Sequence, residues 1–290
     1  VYYRAAMKCV ATILAMSLLL AAGCQKSAPP QNAPRPRIVS FSPALTAMLF
    51  EMGLGDHVVG VTTYCDLPPG QTRPVVGDRH SINIERILSV EPDVMLVQQQ
   101  ESDFDALRSA RPGLKIEHFS IETLADIPVA IERVGKIAGR EPLGTELRKQ
   151  FEDRLSAVRE AVKNLPRPRV LFLTSFDPPS IAGKSSFLHE MIELAGGEDV
   201  TSRYPRWTQI NVEQILTMQP DSILCLAEPG QETQAKEYLL SLKNTPAVRE
   251  GRVYVVIDRH WTIPSTRLAE LTQDLAKIIH PGILFKDQPK

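Results

Sequence analysis

INIERILSVEPDVMLV at positions 82–97 returns as INVEQILTMQPDSILC at positions 210–225, with eight of the sixteen positions identical. The stretches upstream match as well, RPRIV at 35–39 and RPRVL at 167–171, so the offsets are 128 residues (82 to 210) and 132 residues (35 to 167). A period this long is not that of a solenoid, and two copies of one unit explain it most simply. Each copy opens with a β-rich apolar run, 37–41 or 169–174, followed by a Pro-containing loop and a helical stretch that stops at Gly53 or at Gly196 and Gly197. In the repeated segment Ile84, Ile87 and Leu88, or Val212, Ile215 and Leu216, share one helical face. Pro92 or Pro220 then closes the helix ahead of a buried strand, 94–97 or 223–226. Strands alternating with helices predict an α/β fold of two similar lobes built on mainly parallel sheets.

Between the copies, Leu143, Leu147, Phe151, Leu155, Val158 and Val162 recur at steps of four or three. That spacing predicts a single long amphipathic α-helix joining the lobes. The resulting division is an N-terminal lobe over 35–138, a linking helix over 139–165 and a C-terminal lobe over 166–290. A chain of 290 residues has room for two cores, and a formal net charge of -1 gives nucleic acid no electrostatic invitation.

The first residues read as export. Arg4 and Lys8 precede an apolar run from Val10 to Leu20, shorter than the ~20 residues that cross a bilayer, and small residues follow. Residues 1–23 are therefore expected to be a signal peptide. The run ends LAAGC at 20–24, which resembles the cleavage site of bacterial lipoproteins and makes Cys24 the expected lipidated residue, anchoring the chain to a membrane through a Pro-rich tether over 24–34. Cys65 and Cys225 lie in different halves and are expected to stay unpaired.

RIVSFSPALTAMLFEMGLGDHVVGVTTYCDLPP at 37–69, together with NIERIL or NVEQIL followed by PD, resembles the solute-binding proteins of cobalamin, ferric-siderophore and haem ABC importers. The cobalamin-binding members are the nearest, through TTYCDLPP and the segment around Trp207. The resemblance implies a ligand cleft between the lobes and one carboxylate per lobe, Glu85 and Glu213, that docks on an ABC permease dimer. In an open parallel sheet such a cleft is lined by loops at the carboxyl ends of the strands. Those loops carry Ser42, Pro43, Tyr64, Arg79 and His80 in the first lobe and Phe176, Arg206, Trp207, Arg259, His260 and Trp261 in the second. The rings of Tyr64 and Trp207 suit a corrin or another broad planar ligand. Arg79 replaces an aromatic of the cobalamin-binding pattern, and DRHW at 258–261 matches it only loosely. The arginines and histidines favour a negatively charged chelate, so a ferric siderophore or haem is the alternative to cobalamin.

Other classes fit less well. GKS at 183–185 lacks the glycine that a phosphate loop needs at position 178, which is Pro178. The first strand runs into SFSPAL without a histidine, against a zinc- or manganese-binding protein, and His80 with His260 makes at best a pair. No nucleophile elbow, triad spacing or metal motif points to an enzyme. The expected molecule is a monomeric binding protein without a resident cofactor or catalytic residues, whose cargo is a small-molecule metal chelate.

Overall fold

The computed structural model describes residues 35–78 and 81–285. The expected signal peptide, Cys24 and the tether lie outside the described residues, as do Arg79 and His80. In the first lobe, strands β1 (Ile38–Ser40), β2 (Val58–Val61), β3 (Val94–Val97) and β4 (Lys115–His118) form a sheet in the order β2-β1-β3-β4. Every neighbouring pair in it is parallel. The second lobe holds β5 (Arg169–Phe176), β6 (Pro179–Ile181), β7 (Glu198–Asp199), β8 (Thr208–Gln209), β9 (Ser222–Leu226) and β10 (Val253–Val256). Its order is β10-β9-β5-β6-β8, with β7 beside the first residues of β5.

The second sheet is mainly parallel, as expected, and carries an antiparallel edge. β10, β9, β5 and β7 run parallel, but β6 and β8 are antiparallel additions at the edge. Only Asp177 and Pro178 separate β5 from β6. A two-residue link can make a hairpin, whereas a parallel partner needs a crossover of about a dozen residues or more.

The repeated motif is a structural clamp that the two lobes share. In the first, the Arg37 amide donates to Asp93 Oδ2 at 2.8 Å while its guanidinium reaches the carbonyls of Val90 at 2.8 Å and Glu91 at 2.9 Å. In the second, the Arg169 amide donates to Asp221 Oδ2 at 2.9 Å and its guanidinium reaches Met218 O at 2.7 Å and Gln219 O at 3.4 Å. These carbonyls end the helices Ile84–Ser89 and Val212–Met218, where unsatisfied acceptors and the helix dipole both favour a cation. Glu91 and Gln219, each just before the proline, take the same left-handed turn, with φ of 43° and 45°. Sequence, hydrogen bonding and backbone thus repeat together.

The linking helix runs Glu141–Val162, about 33 Å at 1.5 Å per residue. It packs between the first-lobe helix Asp126–Ile137 and the second-lobe helix Leu268–Ile279. Phe151, Val158 and Val162 are buried, whereas Leu143, at the start of the expected stripe, is 41% exposed. Gly144 replaces a side chain where the helices meet. A Cβ on Gly135 would stand 2.9 Å from the Gly144 Cα, so the two glycines let the backbones approach. One apolar core continues from Leu45 and Ile131 through Phe151 to Phe172, Met191 and Leu275, so the lobes share a base beneath the helix. Among the described residues, no helix is long and apolar enough to cross a membrane.

Candidate functional site: the cleft between the lobes

Loops at the carboxyl ends of the strands meet across the two lobes at two ionic bridges. At one, Arg259 faces Asp66 with both nitrogens of its fork: Nε donates to Oδ2 at 3.0 Å and Nη2 to Oδ1, with Nη2 also reaching Tyr64 O at 3.2 Å. His260 Nε2 stands 3.3 Å from the same Asp66 carboxylate, and its Nδ1 is 2.6 Å from Asp258 Oδ1. Arg267 completes the chain on Asp258 Oδ2 at 2.9 Å. Burial pushes the Asp258 carboxyl up. The amide and ring of His260 hydrogen-bonded to it, with the His260 and Arg267 charges, outweigh that and leave it below the ordinary value.

At the second bridge Arg206 pairs with Glu122 of the first lobe. Beside it, the Phe187 amide donates to Glu122 O at 3.0 Å and the Leu124 amide to Glu190 Oε2 at 2.6 Å. A third tie joins Thr266 to Glu51, whose carboxyl burial raises above its usual range.

The expected aromatic residues divide. Tyr64 is 49% exposed and Trp207 50% exposed, each next to a bridge, so both rings are open to solvent there. Trp207 adopts a φ of 57°, its amide held on Ala182 O at 3.1 Å and its indole edge-on to Phe187 with ring centroids 6.1 Å apart. Trp261 departs from the expectation. It lies one residue beyond His260 but turns inward, 3% exposed, against Phe172 at 5.4 Å. A short 3-10 turn over Arg259–Thr262 sends successive side chains to different sides, which placement in a loop does not reveal.

Ser42 also serves the fold. It is buried and caps the helix Pro43–Glu51 by accepting from Leu45 N at 3.4 Å, with Pro43 pre-set at the helix start. Phe176 is half-buried against Tyr238 at 6.1 Å. Asp66 and Glu122 were not singled out in the sequence as bridging residues. They stand 193 and 84 residues from their partners, and no local pattern marks such a pairing. Among the described residues, no cluster of three or more His, Cys, Asp or Glu is placed to hold a metal ion.

Glu85 and Glu213 occupy the same position in the first turn of their helices, and both are exposed. Asn83 caps the first helix by accepting from Arg86 N at 2.9 Å, and Asn211 with Gln214 forms a reciprocal capping box at the second.

A periplasmic binding protein family model matches residues 38–259, which takes in both sheets and the linking helix. The chain belongs to the periplasmic binding protein family. Members of the family are binding components of transport and not enzymes. The chain is 30% identical over 263 residues to the uncharacterized ABC transporter substrate-binding lipoprotein YvrC of Bacillus subtilis (strain 168), covering 87% of this chain and 82% of that protein. It is 26% identical to the vitamin B12-binding protein of Vibrio vulnificus (strain YJ016), over 74% of this chain and 81% of that one. Among solved structures, the periplasmic heme-binding protein RhuT of Roseiflexus sp. RS-1 superposes with a TM-score of 0.74 at 26% identity, over 87% of this periplasmic binding protein and 100% of its own chain.

Proposed function

We propose that this protein is the extracytoplasmic substrate-binding component of an ABC importer, and that it captures cobalamin or a related corrinoid between its lobes. The observation that carries this is the pair of half-exposed rings, Tyr64 and Trp207, one beside each interlobe bridge. Two such rings offer apolar faces to a wide planar macrocycle while the bridges hold the lobes in place. The segment TTYCDLPP and the vitamin B12-binding relative support the same cargo. In this reading Cys24 carries the lipid, in keeping with a relative named as a lipoprotein, and Glu85 and Glu213 dock on the permease. Arg206, Arg259 and His260 beside the rings favour a second cargo, haem or a ferric siderophore, whose acidic oxygens pair with guanidinium groups.

Equilibrium dialysis against cyanocobalamin, haem and a ferric siderophore separates the two. Retention of cyanocobalamin at one equivalent per chain is the expected result. Retention of haem or the siderophore alone transfers the site to the second reading, and retention of none removes both.

A further inference from the structure

Asp66 receives two basic side chains from the opposite lobe, Arg259 in a forked contact and His260 at 3.3 Å, and no other first-lobe carboxylate reaches them among the described residues. Its own backbone segment carries Tyr64, whose carbonyl accepts from the same Arg259 at 3.2 Å. On the far side Asp258 and Arg267 lock His260 and brace the group from behind. The side chains of Asp66 and Arg259 are 48% and 42% exposed, so an isolated pair would contribute little. Here the fork, the His260 ring and the Tyr64 carbonyl act on one loop together, and a bidentate contact fixes geometry as well as energy. Thr62, Thr63, Cys65 and Leu67 hold the loop to the first lobe, with Thr46 Oγ1 3.1 Å from Cys65 Sγ, the Thr63 amide on Gly77 O at 3.2 Å and Leu67 packed on its core, while Asp66 carries the loop's side-chain bridge to the second lobe. We propose that Asp66 is a positioning residue of the cleft: through Arg259 and His260 it clasps the Tyr64 loop to the second lobe and fixes the ring that the ligand meets.

The clasp itself is independent of cargo, whereas its bearing on ligand release rests on the binding function proposed above. Hydrogen exchange on the ligand-free full chain tests the first part. Asp66→Asn is expected to raise exchange about fivefold in both 62–67 and 257–262, segments of different lobes, while strand β9 at 222–226 stays unchanged. Arg259→Gln should give the same increase, and the double variant no more than either alone. Unchanged exchange over 257–262, or an increase that also reaches β9, overturns the clasp. Cyanocobalamin and haem then serve as probes, and whichever binds the wild-type chain should leave Asp66→Asn about fivefold faster. Unchanged release overturns the positioning role. If neither probe binds the wild-type chain, the proposed cargo falls, and the exchange measurement alone decides the clasp.

Discussion

Trp207 is held in a conformation that a bulky residue seldom adopts. Its φ of 57° lies in the left-handed region, which costs a non-glycine residue roughly 1–2 kcal/mol, and half of its surface faces solvent. Ala182 O and the Phe187 ring hold it there, and in the proposed function the strain serves to present an indole at the cleft. Trp207→Gly should therefore leave the thermal midpoint unchanged or raise it, relieving about 1 kcal/mol, while ligand affinity falls about tenfold. Lower stability together with unaltered affinity would show that the ring serves packing. The two tryptophans also mark what could be read in advance: both sit in loops at strand ends, but only the side-chain directions of the folded turn separate exposed Trp207 from buried Trp261. Residue type and loop position were legible, and orientation was not.

At the scale of elements, the repeat was readable because its residues do one job twice. Proline after the helix, aspartate after the proline and arginine at the start of the first strand recur because the clamp needs an acceptor for a strand amide and a cation for helix carbonyls. Arg169→Ala should lower stability by about 1–2 kcal/mol, a few degrees in the thermal midpoint, by freeing the carbonyls of Met218 and Gln219 and the carboxylate of Glu198. Arg37→Ala should do the same in the first lobe, where only the two carbonyls of Val90 and Glu91 are lost, and so by less. Equal and negligible effects in both lobes would make the clamp a coincidence of sequence. The antiparallel edge of the second sheet was less legible, because a Pro-containing loop after a strand leads equally to a crossover helix or to a hairpin. Its length of two residues decides, and that depends on strand boundaries the sequence leaves loose.

The whole molecule is two lobes on a shared apolar base, tied across the top by ion pairs and joined by one long helix. Such a frame restrains motion between the lobes, which carry one each of Glu85 and Glu213. In the proposed docking, carboxylates on exposed first turns act through encounter and orientation more than through affinity. Replacing both by lysine should leave ligand affinity within about twofold, since neither pairs with a bridging residue, and lower uptake by about tenfold. Full uptake by the double variant would reduce these glutamates to helix-dipole partners of the kind any first turn favours.

The cleft as the binding site is tested most directly by light. The chain has two tryptophans, and Trp261 is buried against Phe172, so a ligand between the lobes reports through Trp207. Titration of the protein with cyanocobalamin, corrected for ligand absorbance, should give saturable quenching of tryptophan emission, and Trp207→Phe should abolish most of it. Saturable quenching that persists in full in Trp207→Phe, or binding by dialysis with no change in emission, would place the ligand elsewhere and contradict the account.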